Sequence, residues 1–181
     1  WETAILHFGK ALGYAHIGDI KAAEKEMQTL ETLHLNLLGA NEAYKAKQVN
    51  VQVHAAKAWV ELAKGNNEEA LAFMKEAANL ESLTTKHPVT PGEVLPADEL
   101  LGDMLLALNK PAAALEAYEV NLKGHPNRFN GVYGAAIAAK RSGNQEKALS
   151  YFKTLLELTG NSNSDRTELE EAKKYIENTI I

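Results

Sequence analysis

Glu99 and Asp103 stand four residues apart. On a helix that spacing puts both carboxylates on one face. There they could pass a proton to a substrate or hold a cation. The same pattern marks a solvated acidic face, with Lys140 and Arg141 further along to balance it. Of the six histidines, no two have the i, i+4 spacing of a helical zinc site, and there is no HExxH. His34, His87 and His125 fall near helix ends or loops. Without cysteine, disulfides, thiol catalysis and cysteine-based zinc sites drop out together. No GxSxG, phosphate loop or dinucleotide glycine pattern occurs. The reading is that the chain is not an enzyme and needs no metal or cofactor.

The elements that would position these residues are helical. The chain has 181 residues, 45 % of them hydrophobic and 24 % charged, with only five prolines. Alanine and leucine abound, which favours helix nearly throughout. The net charge of -5, with both signs interspersed, argues against a nucleic-acid surface. No apolar run approaches the ~20 residues of a membrane span. The chain begins at Trp1, without Met and inside a helical pattern, as expected of an excised or processed piece. Nothing in it fixes a compartment.

Leu101–Pro126 is the clearest unit. Leu101, Leu105 and Leu108 mark one helical face, and Ala114, Tyr118 and Leu122 mark another. Asn109-Lys110-Pro111 separates them, with Pro111 suited to a first helical turn, and Gly124 and Pro126 stop the second helix. Similar breaks occur at Gly18-Asp19, Gly65-Asn66 and Gly143-Asn144. Aligned on these, Ala11, Ala58, Gly102 and Ala136 stand seven residues before each break. Ala23, Ala70, Ala114 and Ala148 stand five after, and Met27, Met74, Tyr118 and Phe152 nine after. Small columns let paired helices approach, and the bulky column fills the gap. Four helix pairs follow, over 1–38, 41–83, 97–124 and 127–159. The first helix is expected to run to Ile17. Asp19 should cap the second, whose apolar face is Met27, Leu30, Leu33, Leu37 and Leu38. Asn41, Asn66 with Glu69, and Asp165 with Glu168 are expected caps for later helices. Three prolines in 84–96 forbid a continuous helix. They predict an ordered loop or extended crossover, with Val89, Val94 and Leu95 tucked against a helix, the alternative being a linker between two subdomains. Residues 161–181 form a capping helix with Leu169, Ala172, Ile176 and Ile180 on one face.

These columns resemble the tetratricopeptide repeat. The third unit matches with Leu101, Gly102, Leu105, Ala114, Tyr118 and Pro126, and the fourth with Ala136, Ala148, Phe152 and Leu155. The first matches with Ala11, Tyr14, Gly18, Ala23 and Met27, and the second with Ala58, Gly65, Ala70, Met74 and Ala77. The breaks lie 47, 44 and 34 residues apart, and only the last is the family's period. The resemblance implies an all-α, right-handed superhelical array, a TPR-like α-solenoid of about four antiparallel pairs plus the C-terminal cap. It also implies a concave groove lined by the first helix of each pair. That places Phe8, Leu12 and His16, then Gln52, Trp59 and Leu62, then Glu99, Asp103 and Leu106, then Asn130, Tyr133, Ile137 and Arg141 along the groove; Phe8, Leu12, Trp59 and Ile137 read equally as core between repeats. The Lys/Asn clamp with which some members hold chaperone C-termini is missing, because Phe8, Leu12, Ala55 and Trp59 occupy its positions.

The expected function is a non-catalytic module binding a protein or peptide partner in this groove. The alternative is a scaffold or oligomerisation segment, the C-terminal half of a longer array. It would associate with another copy or pack on an upstream domain.

Overall fold

The computed structural model describes residues 2–84, 93–160 and 164–180, with the backbone alone at Ile180. All regular structure among them is helical. The chain divides into two compact units, Trp1–Leu100 and Leu101–Ile181.

The first unit holds α1 (Glu2–His16), α2 (Ile20–Gly39), α3 (Ala43–Lys64), α4 (Asn67–Ser82) and the start of α5 (Ala97–Ala107). Helix α3 is its centre and packs on α1, α2 and α4. It is accordingly buried on several sides, through Val49, Val53, Ala56, Trp59 and Val60. The second unit holds the rest of α5, α6 (Pro111–Gly124), α7 (Phe129–Arg141), α8 (Gln145–Thr159) and α9 (Thr167–Ile180). There Phe152 and Leu155 of α8 pack with Val132 and Ala136 of α7 and with Leu169 and Ala172 of α9. Tyr175 joins them, its ring 4.8 Å from that of Phe152.

One turn design recurs inside every pair. Gly18, Gly65, Asn109 and Gly143, the first residue of each aligned break, have φ of 78°, 87°, 55° and 79°. Only glycine, or asparagine at some cost, sits easily there. Each such N–H bonds the carbonyl three residues back, and the next N–H bonds the carbonyl five back, as in Asn66 N to Glu61 O at 2.9 Å. This double closure satisfies the last carbonyls of the first helix. Asn41, with φ 57°, closes α2 in the same way.

The small columns are buried without exception. Ala23, Ala70, Ala114 and Ala148 are fully enclosed, as are Ala58 and Ala136, and Ala11 and Gly102 are buried with them. Met74, Tyr118 and Phe152 fill the bulky column, but Met27 is only half-buried.

Several local expectations are corrected. Helix α1 ends at His16, one residue early, and Trp1 lies outside the described residues. Helix α2 buries only Ala23 and Leu30, while Leu38 is half exposed. Asn41 does not cap α3; it is the left-handed residue before the cap position, Glu42. Asn66 makes no cap bond either, because its amide donates to Glu61 Oε2 at 2.7 Å. Glu168 is held by Arg166 at 2.9 Å rather than by a capping box with Asp165. Asp19 does cap α2, accepting from Ala22 N at 3.1 Å.

Most of the expected 84–96 loop, with Val89 and His87, lies outside the described residues, as do residues 161–163 and the side chain of Ile180. From its last residues, Pro96 is fully buried, Leu95 is half-buried and Val94 is exposed. Glu81 of α4 accepts from Ala97 N at 2.8 Å, so a side chain of α4 satisfies the first N–H of α5.

Candidate functional site

Along α1 and α3 the expected groove residues come together, but mostly as core. Phe8, Leu12 and Trp59 are 3 %, 6 % and 7 % exposed. The exposed His16 ring lies over the Trp59 indole, with centroids 4.3 Å apart and planes at 28°. Its Nδ1 sits 2.7 Å from Leu12 O, so Nδ1 carries the proton that bonds that carbonyl. Gln52 Oε1 and Trp59 Nε1 are buried without a hydrogen-bond partner among the described residues. The cavity touching Gln52, Phe8, Ala55 and Leu95 measures about 20 Å³, room for about one water. That cavity is too small for a ligand side chain.

The second unit is different. An open recess of about 250 Å³ is lined by Asp103 and Leu106 of α5, by Tyr118 of α6, and by Asn130, Tyr133, Gly134 and Ile137 of α7. Its floor is Tyr118, which reaches from α6 into the space between α5 and α7. A Cβ on Gly102 would lie 2.7 Å from the Tyr118 ring, and one on Gly134 only 2.3 Å. Two helical glycines therefore make the slot that the ring fills. The ring is 1 % exposed, yet its hydroxyl reaches out to donate to the exposed carboxylate of Asp103.

Tyr133 forms the wall. Its hydroxyl donates to Glu171 Oε2 of α9 at 2.8 Å, and Lys140 Nζ donates to the other oxygen of that carboxylate at 2.8 Å. Burial pushes the Tyr133 phenol well above its ordinary value, and the Glu171 bond adds to the shift. At Glu171 burial opposes charge, but the bonds from Lys140 and Tyr133 outweigh it and hold the carboxyl below its usual value. Helix α9 thus fixes a recess wall as well as covering α8.

At the far end Arg141 Nη2 donates to Asn109 Oδ1 at 3.1 Å. The turn after α5 and the end of α7 meet there. Asn130, Tyr133, Ile137 and Arg141, three or four residues apart, run down one face of α7.

Glu99 is 2 % exposed, whereas Asp103 is exposed. The two do not form one solvated acidic face, because Glu99 lies on the buried side of α5. Among the described residues no group of three or more His, Asp or Glu side chains is placed to hold a metal ion. His7 instead pairs with Glu26, and His34 and His54 bond the carbonyls of Ala46 and Asn50 at 2.9 Å. Sequence reasoning missed Gly134, Asn109 and Glu171 as parts of the site. A glycine inside a helix was the available signal for Gly134, whereas nothing local marks Glu171.

No family model and no curated protein matches the sequence. Solved structures do match in fold. The chain is similar to the crystal structure of MamA protein, a TPR-type protein, at a TM-score of 0.52 and 17 % identity, covering 87 % of this chain and 92 % of that one. The fold is a TPR-like helical array, an α-solenoid. A second MamA structure, from AMB-1, matches at a TM-score of 0.50 and 16 % identity over 93 % of this chain and 97 % of that one. The TPR domain of P58(IPK) matches at 0.39 and 13 %, over 98 % of this chain and 67 % of that one, and carries no weight in the argument. At these identities the likeness speaks to the TPR-like fold alone. No helix among the described residues is long and apolar enough to cross a membrane.

Proposed function

We propose that this TPR-like chain is a non-catalytic protein-interaction module, and that its binding surface is the recess between α5 and α7. One observation carries the proposal. Asp103, Leu106, Asn130, Tyr133 and Ile137, from the first helices of two successive pairs, converge on an open space of about 250 Å³. That space accepts a large side chain, with half-buried apolar walls and polar groups at the rim. Phe8, Leu12, Trp59 and Glu99 serve as core, leaving His16 as the exposed groove residue of the first unit. Panning a display library of random short peptides against the full chain tests this. The expected result is enrichment that Ile137→Asp abolishes while circular dichroism stays helical. Enrichment indifferent to Ile137→Asp, or none, would sink the assignment.

A second reading, self-association through α1 and the turn that follows it, is favoured by their exposed face. Leu6 and Ile17 are 55 % and 75 % exposed, and Gly9 and Gly13 between them have open space where a Cβ would stand. Light scattering of wild type and Ile17→Lys separates the two readings. A monomer at all concentrations excludes this one.

A further inference from the structure

The α5–α7 recess ends beside a cation beyond Ile137, while the Asp103 carboxylate on its α5 side accepts from Tyr118, and from that cation we infer that the preferred occupant is an extended peptide with a large apolar anchor and an acidic residue two positions away. The inference rests on the recess being the binding surface, as proposed above.

The charge lies at Arg141. Among the described residues its guanidinium makes a single hydrogen bond, to the neutral carboxamide of Asn109. A guanidinium presents five donors in a planar fork suited to a carboxylate, so most of its capacity is open. The neighbouring cation Lys140 is committed to Glu171, while Lys110, next to Asn109, adds positive charge near that end. Arg141 is exposed, so a ligand reaches it without reorganising the core.

The spacing sets the register. Ile137, a wall of the recess, precedes Arg141 by four residues on α7, about 6 Å along the helix axis. An extended strand rises about 3.3 Å per residue and returns its side chains to the same side every second residue. A ligand lying along α7 with its anchor beside Ile137 therefore brings the side chain two positions away over Arg141. An adjacent side chain points away from it. The Asn130 carboxamide, exposed at the other rim, can both donate to and accept from the ligand backbone.

The test measures full-length protein by fluorescence polarisation against synthetic peptides with a leucine anchor. Glutamate, alanine or lysine stands two positions away, in either direction, or glutamate stands adjacent. Glutamate two positions away should bind best, and lysine there about fivefold to tenfold worse, a rim-charge effect that weakens with added salt. Arg141→Glu should invert the preference, and Arg141→Lys should retain most of it. Anchor-dependent binding that ignores the charge, or the same ranking in Arg141→Glu, overturns this inference and leaves the recess proposal standing. No peptide binding, or binding unaffected by both Ile137→Ala and Ile137→Asp, overturns both.

Discussion

Gly134 costs α7 roughly 1 kcal/mol of helix propensity relative to alanine. It stands where any Cβ would meet the Tyr118 ring at 2.3 Å. The ring is 1 % exposed in its slot, so making way for a Cβ means giving up packing on both glycines. Gly134→Ala should therefore destabilise the protein by about 1–3 kcal/mol, the usual range for overpacking, despite the propensity gain. Gly13 of α1 is the control, since nothing lies within 4 Å of a Cβ built there. Gly13→Ala should stabilise by up to about 1 kcal/mol. Urea denaturation of the two variants checks both signs. Adding Tyr118→Leu to Gly134→Ala should give strong non-additivity. The Tyr133–Glu171–Lys140 chain predicts a pH response. The Glu171 carboxyl titrates below the ordinary value of 4.5, so its contribution is complete above that value. It is lost as pH falls through the lower, folded value. Stability should thus drop below about pH 4.5, and less steeply in Glu171→Gln. On the alkaline side, burial and the bond to Glu119 raise the Tyr151 phenol from 10.0 to about 12. Its contribution is complete below pH 10 and lost as pH rises towards 12, and ultraviolet titration should find this phenol ionising late.

At the scale of elements, the turns carry the strongest inference. The aligned breaks in the sequence became four left-handed residues with the same pair of backbone bonds. Gly65 has φ 87° and open space around its missing Cβ, so strain alone governs a substitution there. Gly65→Ala should cost about 1–2 kcal/mol. Asn109→Gly should be near neutral for the turn while freeing Arg141. Thermal melts read both, and a Gly65→Ala variant as stable as wild type would refute the role given to this turn. The breaks and small columns were legible because each imposes a local requirement, a positive φ or a close helix approach. Which face of α2 is covered was not legible. That depends on how α1 and α3 pack against it, and the exposed Leu38 looks like core in a period-3.6 reading. The caps at Asn41 and Asn66 misled for a related reason. Asparagine serves both as a helix cap and as a left-handed or side-chain-bonding residue, and the tertiary setting chooses between them. Of the site, the α7 stripe from Asn130 to Arg141 followed from the repeat alignment. The openness of the recess and the hold of Glu171 on Tyr133 depend on packing between helices far apart in sequence.

For the whole molecule, the division at Leu100 matters more than the number of helices. Each unit has a core of its own, around Val60 and Met74 in the first and Phe152 and Leu155 in the second. Both cores consist mainly of contacts between helices adjacent in sequence or one pair apart. In such arrays stability approximates a sum of local terms, so opening need not be global. Met74→Ala removes a fully buried side chain from the first unit and should cost about 2–5 kcal/mol. Phe152→Ala does the same in the second, at about 3–5 kcal/mol. Hydrogen exchange should then accelerate mainly in the unit carrying the substitution. For Met74→Ala the faster amides should lie in α3 and α4, and for Phe152→Ala in α7 to α9. Equal acceleration in both units would mean one cooperative fold and would reject this division. If the effect stays local, Met74→Ala leaves the α5–α7 recess intact and peptide binding unchanged, whereas Phe152→Ala loosens α9 and releases Tyr133 from Glu171. A loss of binding in the second variant alone would tie the recess to the helix that covers the end of its own unit.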